Sequence, residues 1–203
     1  MTDFDARART WDADPDKAER ALRVAEVMRR EIPLTSKMNV LEYGCGTGLL
    51  GFALQPYVRT LALADTSREM LVVLREKIEA TEARNMTPLL LDLLDDVAHE
   101  GRYDAICTLL TLHHIRDTDR ILARFRDVLA PGGALCISDL DAEDGSFHGA
   151  GFDGHSGFDR GELRARLLRA GFQDVTFTTP YRVTRHGRQY PLFLAIARNP
   201  QGE

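Results

Sequence analysis

The stretch VLEYGCGTG, residues 40–48, places three glycines at alternate positions directly after an apolar run. The apolar run is typical of a buried strand, and the residues that follow, TGLLGFALQ, favour a helix. Between a strand and a helix, residues without side chains allow a tight turn and let backbone N–H groups approach a ligand closely. The stretch therefore predicts either a ligand-binding loop or an ordinary tight turn.

On both sides of this loop, long helical patterns alternate with short continuous apolar runs. Helices are predicted over 16–31, 47–55, 67–83, 117–129 and 161–170, and Pro131-Gly132-Gly133 is expected to close the fourth of them. Strands are predicted over 38–43, 59–65, 87–92, 103–110, 133–140, 175–183 and 189–197. The alternation is typical of an α/β fold with a parallel sheet, and a turn at His186-Gly187 predicts that the last two strands form an antiparallel hairpin.

Length, charge and cysteine content restrict the class of protein. The chain has 203 residues, and its 26 basic and 31 acidic side chains give a formal charge of −5. This charge removes the usual electrostatic case for a nucleic-acid partner, so a small-molecule partner is favoured. The polar, acidic start and the lack of an apolar stretch of roughly 18 residues predict no signal peptide, no membrane span and a cytoplasmic location. Cys45, Cys107 and Cys136 suggest neither a disulfide framework nor a cysteine zinc site.

The glycine spacing separates two classes of nucleotide ligand. A dinucleotide fold would use G-x-G-x-x-G, but counting from Gly44 and Gly46 the third position is Leu49. The loop reads G-x-G-x-G instead. A glycine triplet alone is a weak signal, because a tight turn without a ligand can have the same composition.

The ends of the other predicted strands make the signal specific. Glu42 precedes GCGTG, Asp65 ends the second strand, Asp92-Leu93 follows the third, YDAICTLLTLHHI covers the fourth, and LAPGG precedes the fifth. In this order, over about residues 38–140, these elements resemble the class I S-adenosylmethionine (SAM)-dependent methyltransferases. With FDARARTWD near the start and LHHI after the fourth strand, the chain is similar to the small-molecule enzymes grouped with quinone and sterol methyltransferases. The resemblance implies a single Rossmann-like domain over 1–203, with a seven-stranded, mostly parallel sheet, a C-terminal antiparallel hairpin and helices on both faces.

The resemblance also implies a set of cofactor contacts. The glycines Gly44, Gly46 and Gly48 would approach the methionine moiety and the ribose, and Glu42 would order the loop or the cofactor amino group. Asp65 would accept both ribose hydroxyls, because two adjacent O–H donors suit one bidentate carboxylate. The remaining expected contacts are Thr66 and Met70 beside the adenine, Asp92 and the Leu93 N–H at its polar edge, the Leu109 carbonyl at the cofactor ammonium, and Trp11 with Phe4 and Tyr43 over the sulfonium. Residues 1–15 are interpreted as an arm that closes over the cofactor.

Candidate catalytic residues lie just beyond the fourth and fifth strands. A sulfonium makes its methyl group electrophilic, so the enzyme mainly aligns a nucleophile and excludes water. Where a proton has to be removed, His114 or His113 is the candidate base, and Asp139 lies where acceptor sites often occur. The alternative is that the two histidines only pack and form hydrogen bonds at the junction after the strand.

The glycine- and histidine-rich segment 141–158 has no periodic pattern and is predicted to be an acceptor-site loop. Its phenylalanines Phe147, Phe152 and Phe158 would either cover the acceptor or pack in the core. His148, His155 and nearby carboxylates could hold a metal, but two histidines seven residues apart do not match a compact ligand spacing, so no metal is expected. The roles of His148 and His155 are left open.

The function predicted from these features is direct in-line transfer of a methyl group from SAM, with S-adenosylhomocysteine (SAH) as product, to a small-molecule acceptor. Two alternatives stay open. One is a non-catalytic SAM-binding module, and the other is a different nucleotide-cofactor enzyme on a Rossmann-like fold, such as a dehydrogenase or an aminopropyl transferase. Leu49 stands where a dinucleotide-binding loop has its third glycine, which argues against the dehydrogenase. Neither the acceptor, nor its nucleophilic atom, nor the oligomeric state can be predicted.

Overall fold

The structure, a computed structural model, describes residues 4–96, 99 and 101–202, so residues 1–3 of the predicted arm lie outside the described residues. The strands are β1 (Asn39–Tyr43), β2 (Thr60–Asp65), β3 (Met86–Leu90), β4 (Tyr103–Leu109), β5 (Leu129–Leu140), β6 (Gln173–Arg185) and β7 (Arg188–Arg198). The α-helices are α1 (Phe4–Arg7), α2 (Pro15–Glu31), α3 (Leu49–Leu54), α4 (Arg68–Thr81), α5 (Thr118–Val128) and α6 (Arg160–Arg169). Three short 3₁₀ segments lie at Ala8–Ala13, Gln55–Tyr57 and Leu112–His114 within the described ranges.

The described strands form one seven-stranded sheet in the order β3-β2-β1-β4-β5-β7-β6. Strands β1 to β5 pair in parallel, whereas β7 runs antiparallel to both β5 and β6. The turn between β6 and β7 consists of His186 and Gly187, both with positive φ, as a tight two-residue hairpin requires. The predicted fold class and the C-terminal hairpin are therefore confirmed.

Helices cover both faces of the sheet. On one face Phe125 of α5 and Leu163 of α6 pack against β4, β5 and β7, and on the other Met28 of α2 and Leu74 of α4 pack against β1 and β2. All four side chains are at most 1% exposed. Because both faces of the central strands are buried, those strands are apolar almost throughout, which is why continuous apolar runs marked them in the sequence.

The predicted closure of α5 by Pro131-Gly132-Gly133 is wrong. The helix ends at Val128, and these three residues lie in β5, where the pairing with β4 shifts register. Their backbone groups find partners in the C-terminal segment, since the Gly132 N–H donates to Asn199 O and the Asn199 N–H donates to Gly133 O. The chain can thus leave the helix early without losing hydrogen bonds.

The topology brings the carboxyl ends of β1, β2, β4 and β5 to one edge of the sheet, where open α/β sheets bind ligands. The segment 141–158, which follows β5, contains no helix and only an isolated bridge between Asp141 and Phe158. None of the helices in the described ranges combines the length and the apolar character that crossing a bilayer requires. Cys45, Cys107 and Cys136 are buried free thiols.

Candidate active site

The glycine loop is held by the neighbouring strand and packs against the end of β4. The N–H groups of Gly44 and Cys45 both donate to the carbonyl of Ala64 in β2, at 2.8 and 2.9 Å. Gly44 has φ +72°, and a Cβ atom built on it would lie 2.2 Å from Cγ2 of Thr111. The Thr111 hydroxyl donates to the Gly44 carbonyl at 3.2 Å. Glycine is therefore required at position 44 for close packing between the loop and the segment after β4.

Asp65 connects the glycine loop to α4. Its Oδ2 accepts from the Gly46 N–H at 2.7 Å and its Oδ1 from the Ser67 N–H at 2.9 Å, while the Ser67 hydroxyl caps the helix at Met70 N. Partial burial raises the pKa of Asp65, and the backbone donors oppose that shift. A carboxylate has about four acceptor positions, so Asp65 retains capacity for further donors.

Glu42 lies beneath the loop and is 2% exposed. Burial, together with the charge of Asp65, raises its pKa to about 8. Its Oε2 is buried and has no hydrogen-bond partner, and it faces Gly51 of α3, where an added Cβ would come within 2.7 Å of it. The unpartnered oxygen fits a role in which Glu42 takes a donor from the loop or from a ligand.

The Tyr43 hydroxyl lies between Asp92 and Leu93, the two residues that are expected at the adenine edge. The Tyr43 hydroxyl donates to Asp92 Oδ1 at 3.2 Å and accepts from the Leu93 N–H at 3.3 Å, and the ring packs on Phe125. Tyr43, which was predicted to lie over the sulfonium, thus has its contacts at Asp92, Leu93 and Phe125. Adjacent strand residues point to opposite faces, so Glu42 faces α3 while Tyr43 faces α5.

The other predicted cofactor residues surround the same loop. Thr66 is exposed, whereas Met70 is buried, with its sulfur 4.0 Å from a Cβ built on Gly46. Gly48 caps α3 in the left-handed conformation. The Leu109 carbonyl, at the end of β4, lies 3.2 Å from the Thr111 hydroxyl, whose single hydrogen it shares with the Gly44 carbonyl.

The described part of the N-terminal arm, residues 4–15, crosses the glycine loop and α4. Trp11 lies over Gly46, its Nε1 being 3.7 Å from a Cβ built there. Asp12 accepts from the Thr47 hydroxyl at 2.5 Å and from Lys77 Nζ at 2.7 Å, and Asp5 accepts from the Ser67 hydroxyl. Asp5 and Asp12 therefore connect the arm to α4 and to the glycine loop. Nothing in the sequence around these two residues indicated these contacts.

Beyond the end of β4, three imidazoles meet, from His113, His114 and His148, which we call the histidine cluster. His113 is 1% exposed, and its Nδ1 lies 2.6 Å from Oδ1 of Asp139, a carboxylate that is fully buried. Asp139 also accepts from the backbone N–H groups of His113 and Leu140. A carboxylate only accepts, so the His113 hydrogen lies on Nδ1 and the other ring nitrogen, Nε2, faces His148 Nε2 at 3.0 Å. The structure thus brings together all three predicted catalytic residues and adds His148.

Burial lowers the pKa of two imidazoles of the histidine cluster. It lowers the pKa of His114 to about 3 and that of His148 to about 4, and the neighbouring His113 adds to both shifts. Both rings are therefore neutral near pH 7. Phe152 stacks on His148 with ring centroids 3.8 Å apart and meets His114 edge-on at 5.3 Å, which adds an apolar wall.

The rest of the 141–158 loop has mainly structural contacts. His155 Nε2 lies 3.0 Å from the Ile115 carbonyl and 3.2 Å from the Thr118 hydroxyl, away from His148. Asp141 forms a two-bond ion pair with Arg160. Phe147 and Phe158 belong to buried hydrophobic clusters, and Phe147 also meets His148 edge-on, with ring centroids 4.9 Å apart. Phe152 contacts all three rings of the histidine cluster.

The fold is that of a class I methyltransferase, and the comparisons with known proteins agree. A family model described as a methyltransferase domain matches residues 41–135. The chain is 30% identical over 145 residues to a ubiquinone biosynthesis O-methyltransferase of Xanthomonas axonopodis pv. citri, covering 68% of this chain and 59% of that one. It spans 43 to 59% of the length of the curated relatives that it matches.

Solved structures extend the likeness to the whole fold. A chain of the Haloferax volcanii complex between the Trm112 methyltransferase activator and a methyltransferase superposes with a TM-score of 0.80, at 16% identity and 99% coverage of both chains. The N-terminal domain of EvdMO1 with SAH bound superposes with a TM-score of 0.66, at 21% identity, over 88% of this chain and 81% of that one. The resemblance to class I SAM-dependent methyltransferases, inferred from the sequence, is confirmed.

Proposed function

We propose that the chain transfers the methyl group of SAM to a small-molecule acceptor that lies against the histidine cluster. One observation carries the proposal: two aromatic rings in contact, those of Trp11 and Phe4, lie between the glycine loop and the cluster. Phe4 lies 5.9 Å from Trp11, which covers Gly46, and 5.1 Å from His114, measured between ring centroids. A cofactor seated on the loop would therefore present its methyl group toward the imidazoles.

The cofactor contacts follow from the groups left available on the loop. Asp65 would accept the ribose hydroxyls with its remaining lone pairs, and Asp92 with the Leu93 N–H would meet the adenine edge if Tyr43 yields its contacts there. The buried Glu42 oxygen and the Leu109 carbonyl would serve the ammonium end. Trp11 would cover the sulfonium, where an aromatic face favours a cation.

The protein has two tasks in the chemical step. It aligns the acceptor with the methyl carbon so that a lone pair of the acceptor forms the new bond while the carbon–sulfur bond breaks, leaving its electron pair on the sulfur of SAH. It also provides a place for the acceptor proton. Asp139 holds the hydrogen of His113 on Nδ1, so Nε2 carries a lone pair, which faces His148 Nε2 at 3.0 Å. This nitrogen would act as the oriented base once an acceptor hydroxyl takes the place of the His148 contact.

A planar hydroxylated compound fits the acceptor side best. Phe4, Phe152 and the rings of the histidine cluster supply flat apolar and aromatic surfaces, against which a ring would stack. The name of the Xanthomonas relative, an O-methyltransferase, supports oxygen as the nucleophile. The formal charge of −5 argues against a nucleic-acid acceptor, and the buried free thiols support a cytoplasmic location.

Calorimetry with SAH and with NAD tests the cofactor assignment. We expect wild-type protein to bind SAH and not NAD, and Asp65→Asn to weaken SAH binding by at least about tenfold, because each hydrogen bond to a charged group contributes about 1.5–3 kcal/mol. Asp119→Ala is the matched control, since it removes an exposed carboxylate that pairs with Arg166 on the far side of α5. Unchanged SAH affinity in Asp65→Asn would show that the ribose assignment is wrong.

A further inference from the structure

The histidine cluster has the donor set of a metal site. Each ring of His113, His114 and His148 offers one nitrogen, and these three nitrogens all lie within 4.8 Å of one another. His113 Nε2 and His148 Nε2 are 3.0 Å apart, a separation that two nitrogens bound to one ion can reach with a small adjustment. Small movements of the rings would therefore bring the three donors around a single ion.

Asp139 supplies the support that histidine ligands require. Histidines that bind metals usually donate their other ring N–H to a carboxylate or carbonyl, which fixes the tautomer and the ring orientation. Asp139 does this for His113 at 2.6 Å, and three donors in turn hold the carboxylate, which is fully buried. His113 and Asp139 thus form the carboxylate–histidine pair that supports a histidine ligand.

No metal was predicted from the sequence because the spacing considered was that of His148 and His155. In the structure, His148 lies instead beside His113. His155 is bound to the backbone at Ile115, whereas the loop brings His148 to the two adjacent histidines of the 3₁₀ segment. A span of 35 residues separates His148 from His113. The sequence spacing that argued against a metal therefore concerned the wrong pair of residues.

We propose that His113, His114 and His148 bind one divalent transition-metal ion of the zinc class, with an open position toward the methyl acceptor. Three imidazoles with one open position are a frequent ligand set of catalytic zinc, whereas Mg²⁺ and Ca²⁺ prefer oxygen ligands. The apolar walls from Phe4 and Phe152 limit competing water at the open position.

The inference rests on the proposed function for the position of the acceptor, and it specifies how the acceptor is activated. A hydroxyl oxygen of the acceptor binds the ion at the open position and releases its proton to solvent, because a bound cation stabilises the oxyanion. The oxyanion lone pair then forms the bond to the methyl carbon as the carbon–sulfur bond breaks. The ion keeps its oxidation state. His113 Nε2 binds the ion in this scheme, so it does not take the proton of the acceptor hydroxyl.

Metal titration of tag-free protein, stripped with a chelator, tests the site. Co²⁺ is the probe, because its visible absorption reports a tetrahedral nitrogen environment. We expect one equivalent to bind wild type, Zn²⁺ to displace it, and His148→Ala to lose at least about 100-fold in Co²⁺ affinity by the removal of one of three ligands. Asp139→Asn, which keeps the ligands, should lose about 10–100-fold.

His186→Asn is the matched control. It removes an exposed imidazole from the hairpin turn, and asparagine tolerates the positive φ there. Co²⁺ binding by wild type and His186→Asn but not by His148→Ala supports the site, provided that circular dichroism and SAH affinity match in all three. Equal Co²⁺ binding by His148→Ala, or no stoichiometric binding by wild type, overturns it. SAH calorimetry on the same samples separates this failure from that of the proposed function, because metal-free protein should still bind SAH.

Discussion

At the scale of single residues, the site depends on buried carboxylates whose partners differ. Glu42 has an oxygen without a partner, whereas Asp139 accepts from three groups and Asp65 from two backbone donors. A buried carboxylate without sufficient donors is stable only as the neutral acid, which explains the raised pKa of Glu42. The predicted positions of these acids at strand ends were correct, but their different environments depend on neighbours from distant parts of the chain.

The raised pKa of Glu42 predicts how stability depends on pH. Between the ordinary value of 4.5 and about 8, the folded protein holds a proton on Glu42 that the unfolded chain has released. The free energy of unfolding should therefore fall as pH rises through this window, by up to about 1.4 kcal/mol per pH unit from this group. In Glu42→Gln, which stays neutral, this contribution should be absent.

Urea unfolding of both proteins without ligand, at about pH 5.5 and about pH 7.5, measures the difference. The wild type should lose more stability than Glu42→Gln between the two conditions. An equal loss in the two proteins would mean that Glu42 titrates near its ordinary value, and the assignment of a buried neutral acid would then be abandoned.

At the scale of elements, three segments that the sequence left without regular structure complete the site: the arm, the turn after β4 and the loop after β5. The period of the apolar residues predicted the helices and strands because their core-facing side chains repeat along the chain. The arm and the 141–158 loop have no such repeat, and their contacts depend on single residues such as Asp12 and His148. Their conformation is decided by the elements on which they pack, so local sequence did not reveal it.

The arm should respond to the cofactor. Trp11 is the sole tryptophan of the chain and lies over Gly46, so binding of SAH should change its fluorescence. In Asp12→Ala, which removes the bonds to Thr47 and Lys77, SAH should dissociate faster because the arm is held less firmly. Stopped-flow fluorescence measures both effects.

Asp16→Ala serves as the control for the arm, because Asp16 lies in the first turn of α2. Its SAH dissociation rate should equal that of wild type. A spectrum of Trp11 that does not change at saturating SAH would refute the role of the arm as a cover for the cofactor.

At the scale of the whole molecule, the parallel strands place the two halves of the site next to each other. The glycine loop follows β1, the histidine pair follows β4, and Asp139 lies in β5, so the strand order β1-β4-β5 aligns them along one sheet edge. The order of motifs was enough to predict the fold class and the position of the glycine loop between β1 and α3. The meeting of His148 with His113 was not predictable, since it depends on how an irregular loop folds back over that edge.

The central claim is that the methyl group of bound SAM points at the histidine cluster. NMR with carbon-13 methyl-labelled SAM and labelled histidine rings tests it directly, without knowledge of the acceptor. We predict nuclear Overhauser effects between the methyl protons and ring protons of His113, His114 or His148, and none to His186 in the hairpin turn or to His155, whose ring is bound at Ile115. A saturated complex in which the methyl protons show no contact with any ring of the cluster would contradict the account.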